Sequence, residues 1–505
     1  MFYEVFVRSF ADSNGDGVGD LRGLIERLDY LNDGNPTTTD DLGVTGIWLM
    51  PVEDAASYHG YDPVAYDAIE PDYGSSEDVR DLVSAAHDRG IAVIVDLVLN
   101  HTSSEHPWFR DARAGGPHDD WYIWSAADPG YGGPSGQQVW YPYGDRYYYA
   151  QFWDGMPDLD LENPEVTAAL DDVARFWLRE LGVDGFRLDA IKHLVETGQD
   201  QVNTTATHRW LEGFHDRVRE MNHDALLLGE VYDITLMSSS YVPDSVDITF
   251  DFELADKIVL GAQVGEAPSL ATTQADVLAR YGEAGYAAFL TNHDQPRVMT
   301  QLRDEGAARA AASVLLTNPG VPFIYYGEEL GMEGGKPDQR IRAPMAWNDD
   351  PPAFGFTSGT PWEPLEDGWQ HANVAGQLRD PASLLAHYRS LIALRAAHPA
   401  LRQATFAPLP SADAGVYAFL ASAPGDTLVV VVNLSEDDTD DYGLSASSGA
   451  ACGVTNAELL YQDQVPAATS TAPATPTPDA SGGFTDWRPV PLLPAHGTLV
   501  IGLDR

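Results

Sequence analysis

Three acids each close a short apolar run: Asp189 in Gly185-Phe-Arg-Leu-Asp, Glu230 in Leu228-Gly-Glu, and Asp294 in Phe289-Leu-Thr-Asn-His-Asp. Short apolar runs separated by stretches of helical spacing read as strands of a buried parallel sheet. Side chains at the carboxyl ends of successive parallel strands converge on one point only when the sheet closes, or nearly closes, on itself. That requirement points to a barrel of alternating strands and helices, whose chemistry gathers at this end.

The rest of the chain fits eight such strands. Tyr3–Val7, Gly46–Met50 and Ile91–Leu99 are the first three. The fourth ends at Asp189 and the fifth at Glu230, followed by Val246–Phe250, Ala287–Leu290 and Val321–Tyr326. Leu21, Leu24, Ile25, Leu28 and Leu31 recur at helical spacing, and Glu77–Arg89 reads as a helix stopped by Gly90. The predicted fold is α/β: a (β/α)8 TIM barrel over 1–100 and 164–403. A Trp-, Tyr- and Gly-rich segment, 101–163, is too long for a passive loop and reads as a small domain inserted after the third strand. From 404 to 505 helical spacing gives way to short strands, which predicts a C-terminal antiparallel β-sandwich. Within it, 466–483 is rich in Ala, Thr, Pro and Ser and reads as a mobile or O-glycosylated surface loop.

Composition narrows the partners. With 77 acidic and 29 basic residues the formal charge is −48. Nucleic acid and anionic membranes are repelled by such a surface, and neither is an expected partner. A well-solvated acidic surface and an adaptation to high salt both account for the charge, and the salt reading is slightly favoured. The single cysteine, Cys452, excludes an intrachain disulfide and a cysteine-based zinc site. No apolar stretch is long enough to span a bilayer. The start of the chain reads as a strand and lacks the order of a secretory leader. An extracellular protein whose leader was removed and a cytoplasmic protein both remain open. A monomer is expected.

Two further strings matter. In Asp12-Ser-Asn14-Gly-Asp16-Gly-Val18-Gly-Asp20, side-chain oxygens at alternate positions, with a carbonyl at Val18, match the spacing of a Ca²⁺ loop. The same residues also suit a turn, with Asp20 capping the next helix; the metal reading is preferred. In Asp96-Leu-Val-Leu-Asn100-His101, Asp96 lies inside an apolar strand and reads as a buried structural carboxylate, while His101 stands at the strand end. Arg187 and Asp189, two apart on one strand, point into the barrel together, where the cation lowers the carboxylate pKa. Mutual repulsion among the three acids raises one of them into a proton donor.

Together these strings resemble glycoside hydrolase family 13, the α-amylase family. Asp96–His101, Gly185–His193, Gly229–Val231 and Phe289–Asp294 are similar to its four main signature regions, and Met156-Pro-Asp-Leu-Asp160 to a fifth. The opening of the chain is most similar to the subfamily between oligo-1,6-glucosidases and neopullulanases. The resemblance implies Asp189 as nucleophile, Glu230 as general acid/base and Asp294 as transition-state stabiliser. It implies Tyr61, His101, Arg187 and His293 around the attacked glucose, with Lys192 and His193 on the leaving-group side. It implies Ca²⁺ at Asp12, Asn14, Asp16, the Val18 carbonyl and Asp20. Ile341-Arg-Ala-Pro-Met departs from the family string at this point and leaves a sugar contact by Arg342 open. The expected enzyme is a retaining α-amylase acting on α-1,4 bonds of an α-glucan oligo- or polysaccharide. An α-glucosidase, a trehalose-forming isomerase or a transglycosylase is the alternative within the fold. A non-catalytic barrel or carbohydrate-binding protein is the alternative outside it.

Overall fold

The computed structural model describes residues 1–351, 353–366, 368–402, 405–447, 449–464 and 472–504. Eight parallel strands form the main sheet: β1 (Phe2–Val5), β2 (Gly46–Leu49), β3 (Ala92–Leu97), β4 (Gly185–Leu188), β5 (Leu226–Gly229), β6 (Ile248–Thr249), β7 (Ala287–Ala288) and β8 (Val321–Tyr325). Their order around the sheet is β6-β5-β4-β3-β2-β1-β8-β7. A parallel bridge between Phe250 and Ala287 joins the two edges and closes the barrel. The interior is packed with side chains. Trp48, Ile94, Leu228, Phe250, Phe289 and Phe323 form its apolar plug, and Phe2 stacks on Phe323 with ring centroids 4.8 Å apart. The register sets Asp96 opposite Arg187 on β3 and β4, so the charged layer lies one step above the apolar one.

The outer helices follow from their sequences. Helix Ser76–His87 starts with a capping box, in which Ser75 and Asp78 each bond the other's backbone N–H. It turns Val79, Leu82, Val83 and Ala86 to the barrel. Gly90, with φ +73°, ends this stretch. Two expectations are corrected. The first strand stops at Val5, because the chain turns at Phe6 into a short helix, Val7–Phe10, held where Met345 N–H donates to Ser9 O at 2.9 Å. The helix expected across Leu21–Leu31 is two, Leu21–Glu26 and Leu28–Leu31, broken at Arg27 with ψ 1°.

Between β3 and β4 the chain forms a helix, Pro107–Arg113, and a three-stranded antiparallel sheet. Most of its aromatics pack on one another, such as Phe109 parallel to Trp124 at 5.9 Å. Antiparallel bridges from His101 to Asp158 and from Tyr122 to Leu159 tie this segment to the end of β3.

The C-terminal part carries a five-stranded antiparallel sheet. It comprises β9 (Thr405–Pro408), β10 (Val416–Ala423), β11 (Asp426–Asn433), β12 (Asn456–Asp463) and β13 (Thr498–Asp504), in the order β9-β10-β11-β13-β12. A two-stranded sheet of Leu444–Ala446 and Phe484–Trp487 adds its apolar face to this core. The boundary expected at 403/404 lies outside the described residues, as does 466–471 of the expected loop. The rest of that loop is mostly exposed, as a surface loop should be, but is pinned at Ala474. Trp487 Nε1 donates to Ala474 O at 2.7 Å, and Ala474 N–H donates to Pro489 O at 2.8 Å. Among the described residues, no helix is long and apolar enough to cross a membrane.

Candidate active site

The strand ends converge as the sequence required. A cleft of about 940 Å³ opens over the carboxyl ends of the barrel strands, lined by Asp189, Glu230 and Asp294. Tyr61, His101, Lys192 and His193 also line it. Arg187 and His293 lie directly beneath, almost wholly buried. The inserted segment supplies one wall through Gln151, Phe152, Trp153 and Met156. Phe152 and Trp153, with Tyr232 across the cleft, keep 41%, 49% and 60% of their surface exposed, so aromatic faces stand free at its mouth.

Arg187 organises the floor. Its Nη1 donates to Asp189 Oδ1 at 2.6 Å and to Asp96 Oδ1 at 2.9 Å, and its Nη2 lies 2.8 Å from Glu230 Oε2. Ala190, in the left-handed region at φ 46°, turns its N–H onto Glu230 Oε2 at 2.9 Å. The chain therefore uses a strained backbone position to aim the acid of the neighbouring strand. A second chain of contacts starts at Glu4. His293 Nδ1 bonds Glu4 Oε1 at 2.5 Å; its Nε2 lies 3.2 Å from Asp294 Oδ2 and 2.8 Å from Tyr61 Oη. Tyr61 Oη donates onward to Asp96 Oδ2 at 2.9 Å. Arg342 grips Asp294 from the other side, Nη2 to Oδ1 at 2.9 Å, and donates from Nε to His293 O at 3.0 Å.

Five carboxylates (Glu4, Asp96, Asp189, Glu230 and Asp294) thus share three cationic side chains (Arg187, His293 and Arg342). Burial first, and the surplus of negative charge after it, push Glu230, Asp189 and Asp96 towards their protonated forms. Burial raises Glu230 above its ordinary value; Arg187 opposes this, while Asp189 and Asp294 add to it. Burial also raises Asp189, with Arg187 the main offset and His293 a further one. Arg187 lowers Asp189 as expected, but the expected net lowering is corrected: the guanidinium is divided among three acids, and desolvation exceeds its share. Asp96 is pushed up to about 7, chiefly by burial. Asp294 is recessed at the cleft floor, which disfavours its charge, yet His293 and Arg342 outweigh that and hold it well below the carboxylate range. About half of its side chain (49%) still faces the open cleft. Burial disfavours a charged His293, but Asp294 and Glu4 more than offset it and push it up to about 10. Burial lowers His101 and His193 to about 4, so both rings are neutral near pH 7. His101 Nε2 is used on Tyr61 O at 2.9 Å.

Lys192 Nζ donates to Tyr232 O at 2.5 Å beside the cleft. Asp96 is the buried carboxylate that its apolar strand implied, fully enclosed and bonded to Arg187, Tyr61 and Trp48. Glu4 and the grip of Arg342 were missed. Glu4 carries the same signal as Asp96, a lone acid at an inward position of an apolar strand.

The Asp12–Asp20 loop lines no part of the cleft. It packs on residues 357–361, where a Cβ on Gly17 (φ +99°) would fall 1.9 Å from Thr360 O. Asp12 accepts from the N–H groups of Asn14, Gly15 and Gly17, Asn14 from that of Asp16, and Asp16 from that of Val18. Asp20 accepts from Ser13 and caps the helix at Gly23 N. Hard oxygens in this number suit Ca²⁺ in kind. Among the described residues, however, no three His, Cys, Asp or Glu side chains converge closely enough to hold a metal.

Comparison with known proteins agrees with this geometry. The family model for the alpha amylase catalytic domain matches residues 4–404. The chain is 39% identical to Alpha-amylase 3 of Dictyoglomus thermophilum over 446 residues, which covers 86% of this chain and 84% of that protein. It is 30% identical to the oligo-1,6-glucosidase of Parageobacillus thermoglucosidasius, covering 86% and 89%. The crystal structure of the alpha-amylase from H. orenii superposes with a TM-score of 0.86 at 38% identity, covering 100% of this chain and 99% of that one. The chain therefore belongs to the α-amylase family, glycoside hydrolase family 13, and is an enzyme of that family.

Proposed function

We propose that the enzyme is a retaining α-amylase, which cleaves α-1,4 bonds of starch and maltooligosaccharides by double displacement. The observation that carries this reading is the Arg187 guanidinium, which touches Asp189 and Glu230 at once from neighbouring strand ends. Carboxyls about 5–5.5 Å apart are the arrangement of retaining glycosidases. Asp189 has the cations Arg187 and His293 against one neighbouring carboxylate, Asp294, whereas Glu230 has Arg187 and the neutral Ala190 N–H against two, Asp189 and Asp294. Asp189 is therefore the nucleophile that attacks the anomeric carbon, and Glu230 the acid that protonates the bridging oxygen. Once the leaving sugar departs, Glu230 accepts a proton from water as it attacks the glucosyl-Asp189 ester. Asp294, ionised between His293 and Arg342, stabilises the positive charge that develops on the sugar ring.

Within the family, the opening of the chain supports a place near the subfamily between oligo-1,6-glucosidases and neopullulanases. The exposed aromatics at the cleft mouth support a chain-like substrate over a closed pocket for one terminal sugar. A product profile on starch, maltotriose, pullulan and sucrose tests the reading. Release of maltooligosaccharides from starch is expected. Conversion of sucrose or release of glucose alone would favour an isomerase or an α-glucosidase.

Calcium in the Asp12–Asp20 loop is a second part of the proposal. Asp12, Asn14, Asp16, the Val18 carbonyl and Asp20 would hold it, and it would brace the loop against residues 357–361 with no part in bond cleavage.

A further inference from the structure

A second hollow adjoins the cleft at Pro134 and Val202, which line both. Its volume is about 540 Å³, within the range of about 300–1,000 Å³ that holds a sizeable ligand. One wall is Gly132 and Gly133 of the inserted segment. The other is the loop leading into helix Thr205–Met221, with Thr197, Gln199, Asn203 and Thr205. The walls are fixed to each other. Tyr131 Oη donates to Gly198 O at 3.1 Å, and Gln201 Nε2 donates to Gly132 O at 3.1 Å. The loop is braced internally as well, because Thr197 and Asp200 pair as an antiparallel bridge and Thr204 caps the helix that follows.

The lining is mostly amide, hydroxyl and glycine backbone, with Pro134 and Val202 as apolar members and Asp200 as its one charged residue. Such walls suit neutral polyols, whose hydroxyls both donate and accept. The hollow also has a direction. Asn203 N–H donates to Lys192 O at 2.8 Å, and Asn203 Nδ2 donates to Asp233 Oδ2 at 3.2 Å. Asp233 and the Lys192 partner Tyr232 follow Glu230 in the chain. The hollow therefore leaves the cleft on the side of the proton donor, where the departing sugar lies.

We propose that this hollow binds the leaving-group arm of a neutral α-glucan and sets the preference for long over short substrates. The proposal rests on the reading of the enzyme as an α-1,4-glucanase. Two variants test it: Thr205→Trp, which adds a bulky ring to the lining, and Gln199→Ala, which removes an exposed amide. The readout is kcat/KM on maltoheptaose divided by kcat/KM on maltotriose, together with the bond cleaved in reducing-end-labelled maltoheptaose. In Thr205→Trp the ratio is expected to fall at least threefold, and the cleaved bond to move towards the labelled end. Gln199→Ala is expected to move both in the same direction. A ratio changed less than threefold in Thr205→Trp with an unmoved cleavage site in both variants overturns the proposal. So does an equal loss on both substrates. Wild-type enzyme inert on both maltooligosaccharides would instead overturn the activity itself, and the hollow's role with it.

Discussion

Arg187 and Glu230 are joined across two barrel strands, Nη2 to Oε2 at 2.8 Å, while Nη1 of the same guanidinium holds Asp189. A planar fork reaches several acids at once, which a lysine ammonium cannot do. Arg187→Lys is expected to lower kcat on starch by at least about a hundredfold and to lower the melting temperature, because three enclosed acids lose a shared partner. Steady-state kinetics and thermal unfolding check this. Turnover within tenfold of wild type would deny Arg187 its organising part.

Stability is expected to fall as pH rises above neutrality. His293 has its folded value near 10 against an unfolded value of about 6.5. Its stabilisation is complete below the unfolded value and is lost as pH rises through the folded one. Asp96, near 7, and Asp158, near 8, also bind protons more tightly when folded, so they act in the same direction from about pH 4 upwards. Urea unfolding between pH 6.5 and 9.5 should show a loss on the order of a few kcal/mol. The slope should be smaller in His293→Gln.

Chelation is expected to destabilise without altering chemistry at the cleft. Treatment with EDTA should lower the melting temperature by several degrees, and Ca²⁺ should restore it better than Mg²⁺. Asp12→Ala and Asp16→Ala should remove the response. An unchanged melting curve would return the loop to a plain turn with a helix cap.

The charge of −48 predicts a response to salt. Self-repulsion is screened within about 10 Å at 0.1 M salt and about 3 Å at 1 M, so the melting temperature should rise with NaCl across that range. A flat or falling series would end the halophilic reading.

The barrel was legible because each strand is a short apolar run and each catalytic-face acid ends one. Asp189, Glu230 and Asp294 needed only that register to meet. Strand ends were less legible: the alternation in Tyr3–Val7 continues through Phe6, where a contact from the distant Met345 helps decide the turn. The same limit hid Arg342. Its grip on Asp294 joins a loop after β8 to one after β7, and no local spacing encodes it. Charge sharing was also out of reach. A string such as Arg187-Leu-Asp189 shows one cation beside one acid, whereas the pKa values depend on Asp96 and Glu230, which compete for the same guanidinium. The second hollow arises only where 132–134 meets 197–205, two segments distant in the sequence.

The central claim is a covalent displacement by Asp189 assisted by Glu230. Proton NMR of the first turnovers on maltoheptaose, run beside Asp189→Asn and Glu230→Gln, tests it most directly. The account predicts new reducing ends of α configuration from wild type, and folded variants slower by several orders of magnitude. Early product of β configuration, or near-normal turnover by either variant, would contradict it.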